Sequence, residues 1–219
     1  MSSVKENLLK IQENIAPYTP KIIAVTKYFD ESKLIEAYNA GLRDFGESRV
    51  LQAIDKINKL PEEIRKNSTF HMIGHLQTNK VSKAVGFFDY IHSVDSLKLA
   101  EAISKTATEK NIVQKIFIQL NNAEEEQKYG LSRGFIEEVF RGIITMKNIE
   151  VVGVMNIAPM LVEEGQLKEL FEDVVKVRDS LQDKFKYPLK EISMGMSNDY
   201  EIAAQCGATM LRIGRRLFS

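Results

Sequence analysis

Short apolar segments that resemble β-strands alternate with amphipathic helical segments along the whole chain. The first of them, which starts at Lys21, is rich in β-branched residues without polar alternation, as is typical of a strand buried on both faces. Eight such segments follow one another without a repeat or a linker, at 21–25, 42–45, 70–74, 90–94, 113–120, 150–157, 189–194 and 209–213. This alternation predicts an α/β fold, a single (β/α)8 TIM barrel domain over residues 1–219.

The intervening segments carry apolar residues at the three- and four-residue spacing of helices. They lie at 32–40, 51–57, 77–85, 96–110, 135–145 and 163–185, with a shorter one from Tyr200. Residues 1–15 have the same spacing and predict an amphipathic N-terminal helix that packs on the domain. An open, doubly wound sheet is the alternative fold, because short strands are difficult to count from one sequence.

The composition argues against several classes of protein. Thirty basic and thirty acidic side chains give a formal net charge of zero, so no overall field attracts nucleic acid or an anionic membrane. No apolar run approaches the ~20 residues of a membrane-spanning helix. The single cysteine, Cys206, cannot form an internal disulfide and suits a reducing compartment. We therefore expect a cytoplasmic protein that binds neither nucleic acid nor membranes.

Lys27 follows the first strand directly. In an α/β barrel, the carboxyl ends of the strands carry the binding site, so Lys27 is expected to point towards it. The alternative is that Lys27 simply reaches water, as most lysines at strand ends do. A lysine that forms an imine needs its charged form disfavoured, because its ordinary pKa is about 10.4. We expect burial at the end of the strand to provide this.

The loops after the seventh and eighth strands predict a phosphate site, because these loops bind phosphate in many barrels of this kind. Ser197 precedes the helical segment at Tyr200, where Asn198 and Glu201 can form a capping box. Amide groups at a helix N-terminus suit a phosphate. Gly214 follows the eighth strand and can let the backbone approach a ligand. The alternatives are that Ser197 or Asn198 only caps the helix and that Gly214 only ends the strand.

Other residues with reactive side chains favour structural roles. His71, His75 and His92 lack the spacing of metal ligands, so we expect core or surface positions for them and no metal site. The run 124–126 of three glutamates predicts a solvated loop. Cys206 is expected to be a packed residue without activation. No Walker loop, nucleophile elbow or dinucleotide fingerprint occurs in the chain.

Several segments together resemble the pyridoxal phosphate homeostasis protein family, which are small barrels that bind pyridoxal 5′-phosphate (PLP) and are related to the N-terminal domain of alanine racemase. The matching segments span nearly the whole chain in the family's order. They are Ala-Val-Thr-Lys at 24–27, Phe-Gly-Glu-Ser-Arg-Val at 45–50, the run from His71 to Lys80, Asn121 to Glu125 with Lys128 and Gly130, Ser-Met-Gly-Met-Ser-Asn-Asp at 193–199 and Arg-Ile-Gly at 212–214.

The resemblance implies that Lys27 forms a Schiff base with PLP. It also implies that Ser197 and the backbone of Gly214 and Arg215 hold the phosphate, and that Arg212 faces the pyridine nitrogen. The cofactor-binding residues expected on this basis are Lys27, Ser48, Ser197, Arg212, Gly214 and Arg215. Asn156 and Met196 are added because they, like Arg212, lie at the carboxyl ends of predicted strands, where barrel sites are found.

The chain departs from the family's pattern in two places, one of which is a pair of residues. Ser48 stands where the family usually has asparagine, which changes a contact near the cofactor. Arg215 and Arg216 replace the usual small pair, in which a hydroxyl often touches the phosphate. The backbone amide survives this change, whereas the arginine side chain either adds a charge-assisted bond to the phosphate or crowds it.

The family resemblance implies a non-catalytic protein that buffers or delivers PLP, acts as a monomer and contacts apo-PLP enzymes transiently. Arg212 supports this, because an arginine only donates hydrogen bonds and leaves the ring nitrogen unprotonated, which makes the ring a poor electron sink. A PLP-dependent racemase or decarboxylase is the alternative. Racemases of the related fold carry an additional β domain, which we do not expect in a chain that ends at Ser219. An imine-forming aldolase without PLP is a third hypothesis, which the full set of motifs disfavours.

Overall fold

Eight parallel strands form a closed barrel in a computed structural model that describes residues 3–123, 127, 129–159 and 162–219. The strands are β1 Lys21–Val25, β2 Asp44–Glu47, β3 Thr69–Met72, β4 Tyr90–Val94, β5 Gln114–Leu120, β6 Ile149–Asn156, β7 Glu191–Ser193 and β8 Met210–Ile213. Each strand pairs with its neighbours in chain order, and β1 also pairs with β8. The predicted (β/α)8 TIM barrel is therefore confirmed, and the open sheet is excluded.

Helices connect the strands and cover the outside of the barrel. They are α1 Val4–Ile15, α2 Glu31–Asn39, α3 Val50–Ile57, α4 Glu62–Lys66, α5 Val81–Ala84, α6 Leu97–Glu109, α7 Ile136–Ile143, α8 Glu164–Phe185, α9 Tyr200–Gln205 and α10 Arg215–Phe218. Within the described ranges, no helix is long and apolar enough to cross a membrane. The run 124–126 and Lys128, both used in the sequence interpretation, lie outside the described residues.

The predicted N-terminal amphipathic helix is confirmed as α1. Ser3 caps it through a capping box with Glu6, in which each side chain bonds the other residue's amide. Its buried apolar residues are Val4, Leu8, Ile11 and Ile15. The side chain of Asn7 on the same helix donates to the carbonyls of Leu217 and Ser219, at 3.1 and 2.9 Å. Helix α1 therefore binds the last residues of the chain, at the end of α10.

Several predicted boundaries are wrong. The helix predicted over 77–85 is a 3₁₀ turn, Thr78–Lys80, followed by the single turn of α5. The short helices α4 and α10 were not predicted, because four or five residues are too few to show a helical period. Strand β7 spans three residues rather than the predicted 189–194. All of these errors concern very short elements or the ends of elements, where the local sequence pattern carries least information.

Side chains on alternate positions of each strand fill the inside of the barrel. Ile23, Phe117, Met155 and Met210 form a small buried apolar cluster there, separate from the larger core between strands and helices. The interior also holds polar residues from five strands. These are Asp44, His71, His92, Ser193 and Arg212.

Candidate functional site

The ends of β7 and β8 bring Ser197 and Gly214 together, as predicted. The buried Ser197 Oγ accepts hydrogen bonds from the amides of Gly214 and Arg216, at 3.2 and 3.4 Å. The Arg216 Nε atom donates to the Ser197 carbonyl at 3.3 Å. Besides Gly214, the residue whose amide meets Ser197 is thus Arg216 and not Arg215, whose side chain is exposed. Two converging amides and a hydroxyl can together bind an anion such as a phosphate.

The loop from β7 to α9 turns sharply at Gly195. Its φ of +86° is unfavourable for other residues, and an added Cβ would lie 2.5 Å from the Cβ of Ala203. The predicted capping box of Asn198 and Glu201 is wrong, because Asp199 is the N-cap residue of α9 and makes no side-chain cap bond. The Asp199 carboxylate instead accepts from the Met196 amide within the loop. Met196 itself is half-buried.

Arg212 is a buried cation on β8, with 3% of the residue exposed. Its Nη1 atom donates to Ser193 Oγ at 2.7 Å, and its Nη2 atom donates to the carbonyl of Asn156 at 2.6 Å. Burial lowers the pKa of Arg212 to about 10, although the charge of Asp199 opposes this. Burial also raises the pKa of Asp199, although the Met196 amide and Arg212 oppose it. At neutral pH Arg212 therefore remains charged and can only donate hydrogen bonds.

Asn156 ends β6 beside Arg212 and is 2% exposed. Its Nδ2 atom donates to the Asn122 side chain at 2.7 Å. Its Oδ1 atom is buried and has no hydrogen-bond partner among the described residues. Because an unpaired buried polar atom is costly, this oxygen suits a ligand or water that donates a hydrogen bond. Asn156 thus lies where the sequence interpretation placed it, at a strand carboxyl end.

Lys27 also lies at this end of the barrel, but its expected burial is wrong. The chain turns directly after β1, where the Phe29 amide donates to the Thr26 carbonyl at 3.0 Å. Thr26 is fully buried, whereas Lys27 is exposed. The Lys27 Nζ atom lies 5.1 Å from the centroid of the Tyr28 ring, which is itself 79% exposed. The turn, rather than the strand, therefore determines how Lys27 reaches the site.

A buried ion pair fixes this turn. Glu47, at the end of β2, pairs with Lys56 of α3, and their side chains are only 3% and 11% exposed. Glu47 Oε1 accepts from the Thr26 hydroxyl at 2.5 Å. Lys56 Nζ donates to the carbonyls of Thr26 and Phe29, at 2.7 and 3.0 Å. Glu47 and Lys56 therefore hold the segment that carries Lys27, a role that the sequence interpretation did not assign to them.

Ser48 lies in the loop after β2 and is half-buried. A Cβ atom added to Gly74 would lie 2.4 Å from the Ser48 carbonyl oxygen, so the loops after β2 and β3 pack directly against each other. Strand β2 pairs with β1 up to Val25 and Gly46, which puts Ser48 on the same side of the barrel as Lys27. The side of the barrel formed by β6, β7 and β8 carries Ser197, Gly214, Arg212 and Asn156.

The three histidines take the core and surface positions expected for them. His71 and His92 are fully buried inside the barrel, and His75 is exposed at the carboxyl end. The His75 ring stacks on Tyr129 with centroids 3.7 Å apart. Across the described residues, no three or more histidine, cysteine, aspartate or glutamate side chains cluster as metal ligands. The hydrogen bonds that join His71 and His92 were not predicted from the sequence.

Comparison with known proteins gives the class to which this barrel belongs. The model of the alanine racemase N-terminal domain matches residues 1–219. The pyridoxal phosphate homeostasis protein of Aquifex aeolicus is 37% identical over 90% of this chain and 86% of its own length. The corresponding protein of Synechocystis is 35% identical over 92% of both chains. The chain therefore belongs to the alanine racemase N-terminal domain family and, within it, to the pyridoxal phosphate homeostasis proteins.

Solved structures agree with this assignment. The PipY protein of Synechococcus elongatus, solved with PLP bound, superposes with a TM-score of 0.89 and is 34% identical, covering 99% of this chain and 100% of that chain. An alanine racemase of Clostridium difficile superposes with a TM-score of 0.80 at 12% identity, and 58% of that chain is covered. At this low identity, the comparison with the racemase shows a shared barrel fold and carries no further conclusion.

Proposed function

We propose that this chain is a single PLP-binding domain, residues 1–219, that buffers or delivers the cofactor in the cytoplasm without significant catalysis. The observation that carries the proposal is the convergence of two amides, a hydroxyl and a buried arginine at the carboxyl ends of β7 and β8. Relatives matched over most of their length are named pyridoxal phosphate homeostasis proteins, and PipY was solved with PLP bound. Both support the proposal.

The phosphate of PLP fits between Ser197 and the start of α10. The amides of Gly214 and Arg216 point at Ser197 Oγ, so a phosphate oxygen placed beside that hydroxyl can accept from the same groups. A Cβ added at Gly214 would lie 3.5 Å from Val25, an ordinary contact, so packing against Val25 does not by itself require a glycine at this position. A close approach by the phosphate gives a reason for it. The exposed Arg215 is then able to add a charge-assisted bond.

Arg212 would hold the pyridine ring of PLP beside this phosphate site. When bound, PLP supplies an electron-withdrawing ring that stabilises carbanions best when its nitrogen is protonated. Arg212 has two of its N–H groups bound to Ser193 and to the Asn156 carbonyl, and its guanidinium has further donors for the ring nitrogen. Since Arg212 keeps its own protons at neutral pH, the ring nitrogen stays unprotonated. Strong carbanion chemistry is therefore not expected.

Lys27 is the proposed point of covalent attachment, through a Schiff base. Its exposed amine is accessible to an aldehyde, and its turn is held in place by Glu47 and Lys56. Ser48 and Met196 are proposed to line the same end of the barrel. An exposed attachment point also suits a carrier, because the bond to the cofactor can exchange with an amine from outside.

The experiment that tests delivery measures PLP transfer. The holo-protein is mixed with an apo-PLP enzyme in the presence of a trap that consumes free PLP, and recovery of enzyme activity is followed. We expect recovery faster than the spontaneous release of PLP from the holo-protein allows, as transient contact with apo-enzymes requires. No recovery in the presence of the trap would leave buffering as the function and contradict delivery. Light scattering of the holo-protein alone tests the expected monomer.

A further inference from the structure

A series of hydrogen bonds crosses the barrel interior from one end to the other. At the carboxyl end, Arg212 Nη1 lies 2.7 Å from Ser193 Oγ, which lies 3.0 Å from His92 Nδ1. His92 Nε2 lies 2.9 Å from His71 Nδ1, and His71 Nε2 lies 3.0 Å from Asp44 Oδ1 at the amino end. We call these five residues the interior network. His71, His92 and Ser193 have no exposed surface.

Each link of the interior network has one possible donor when both histidines are neutral. The Asp44 carboxylate can only accept, so a neutral His71 carries its proton on Nε2, donates it to Asp44 and accepts at Nδ1. His92 therefore donates from Nε2 to His71 and accepts at Nδ1. Ser193 Oγ gives its own proton to His92 Nδ1 and accepts from Arg212, which can only donate. All four bonds point the same way, and aligned hydrogen bonds of this kind polarise and strengthen one another.

The electrostatic surroundings favour this arrangement. Burial lowers the pKa of His71, although Asp44 opposes it, and burial lowers the pKa of His92 further, together with the charges of His71 and Arg212. Burial alone raises the pKa of Asp44, but the hydrogen bond from His71 and the charge of Lys21 lower it overall. Lys21 lies 3.4 Å from Asp44, and both line a cleft of about 720 Å³ at the amino end. The interior network thus joins a cation to an anion through neutral groups.

We propose that Ser193 and His92 are positioning residues for Arg212, which they hold in the orientation from which it donates to the ring nitrogen of PLP. This inference rests on the proposed function. Ser193 Oγ can accept from Arg212 because its own proton is bound by His92. Without that acceptor the hydroxyl proton is free to turn towards Arg212, where it opposes the guanidinium. The Asn156 carbonyl then holds Arg212 at one atom only, and the guanidinium can rotate.

The first test uses the protein without cofactor. Nitrogen-15 NMR of the imidazole rings distinguishes the two neutral tautomers and the charged form. We expect His71 and His92 to be neutral between pH 6.5 and 8, both with the proton on Nε2. A proton on Nδ1 of either ring, or a charged ring in this range, would reverse at least one link and overturn the inference. This test depends neither on PLP nor on any variant.

The second test compares two buried serines of the barrel. Ser193→Ala removes one link, whereas Ser93→Ala removes a hydroxyl that has no partner among the described residues. Ser93 is next to His92 on β4, and its hydroxyl bonds to no member of the interior network. With PLP labelled with nitrogen-15 at the ring, we expect Ser193→Ala to move the ring nitrogen signal and to speed PLP release ~10-fold. We expect Ser93→Ala to leave both within ~2-fold of the wild type.

The outcomes separate the inference from the proposed function. A wild-type protein that does not bind PLP would refute the proposed function, whatever the histidine tautomers. A wild type that binds PLP, with Ser193→Ala and Ser93→Ala behaving alike, would overturn the inference and leave the proposed function intact. Thermal unfolding of both variants shows whether each is folded, and equal PLP loss from two equally destabilised variants would also count against the inference.

Discussion

Arg212 is the side chain whose surroundings decide what chemistry this barrel supports. It is a cation with 3% of its surface exposed, and a serine hydroxyl and a backbone carbonyl fix its position. A carboxylate in that place would be able to keep the ring nitrogen protonated, whereas an arginine gives up no proton at neutral pH. In the proposed function, this single residue therefore favours binding of PLP over its use as an electron sink.

The phosphate site gives the first prediction at this scale. Ser197→Ala removes the hydroxyl that meets the amides of Gly214 and Arg216. A hydrogen bond to a charged group contributes about 1.5–3 kcal/mol, so we expect the dissociation constant for PLP to rise ~10- to 150-fold. Equilibrium titration measures it, with pyridoxal as the phosphate-free control. Equal losses for PLP and pyridoxal would place the phosphate elsewhere.

The buried histidines give a prediction about pH. The pKa of His92 is lowered in the folded protein, so its contribution to stability is complete above its unfolded pKa of about 6.5 and is lost as pH falls through the lower, folded-state pKa. We expect the free energy of unfolding to fall between pH 7.5 and 5.5, and less steeply in His92→Gln. Urea unfolding measures both slopes.

The pH slopes of wild type and His92→Gln have to be compared because other groups raise the free energy of unfolding as pH falls. Burial raises the pKa of Asp95, although the charge of His75 opposes it, and burial likewise raises the pKa of Asp199. Both carboxyls add stability as pH falls, and both are present in wild type and variant. Equal slopes in wild type and His92→Gln would contradict the assignment of a neutral His92.

At the scale of elements, the turn after β1 depends on contacts with β2 and α3. Lys56 and Glu47 form a nearly buried ion pair that bonds the Thr26 hydroxyl and the carbonyls of Thr26 and Phe29. The position of Lys27 is thereby tied to two other elements of the barrel. The exposed Lys27 side chain can move, but its backbone is fixed.

Removal of Lys56 tests this support. Lys56→Met leaves the Glu47 carboxylate buried without its cation, so we expect a loss of about 3–5 kcal/mol in the free energy of unfolding. Lys33→Met is the matched control, because the pair of Lys33 and Glu36 is about 40% exposed and is expected to contribute at most ~1 kcal/mol. Urea unfolding compares them. A cost for Lys56→Met no larger than for Lys33→Met would show that the turn does not depend on the ion pair.

The elements also show what the sequence could predict. Buried strands and amphipathic helices have periods that can be counted, so all eight strands and the long helices were predicted. The short helices α4 and α10 and the 3₁₀ turn at Thr78–Lys80 have too few residues for a period. The exposure of Lys27 depends on a turn fixed by Lys56 from another element, which no local pattern encodes.

The candidate site also contains residues that the sequence predicted and residues that it did not. Four residues were predicted because they lie at the carboxyl ends of strands, a position that follows from the fold, namely Ser197, Gly214, Arg212 and Asn156. The interior network was not predicted, because it joins residues on β2, β3, β4, β7 and β8 across the barrel. Which residues of these strands lie level with one another depends on how the barrel closes. Polar residues at inward-facing positions, such as His71 and His92, were the only local signal.

At the scale of the whole molecule, closure of the barrel brings the first and last strands together beside the proposed phosphate site. Strand β1, which leads to Lys27, pairs with β8, which leads to Gly214. Helix α1 binds the end of α10 through Asn7, and its Asn14 side chain donates to the Tyr200 hydroxyl of α9 at 2.8 Å. The first helix therefore supports both segments that form the proposed phosphate site.

The absence of significant catalysis is a prediction about the whole molecule. Racemisation needs positioned acid–base groups on both faces of the substrate carbon, and Lys27 can serve one face at most. We expect the holo-protein to exchange the α-proton of alanine in D₂O far more slowly than the ordinary enzyme rate of ~10 s⁻¹. Proton NMR follows the exchange. Exchange at an ordinary enzyme rate that Lys27→Ala abolishes would identify a racemase-like enzyme instead.

The covalent attachment of PLP to Lys27 is the central claim, and reductive trapping tests it most directly. The holo-protein is reduced with borohydride and digested, and the modified peptide is identified by mass spectrometry. We expect the added mass on the peptide that contains Lys27, its loss in Lys27→Ala, and an unchanged result in Lys80→Ala, which alters another lysine after a strand end. Label on Lys80 or Lys128 in the wild-type protein would contradict the account.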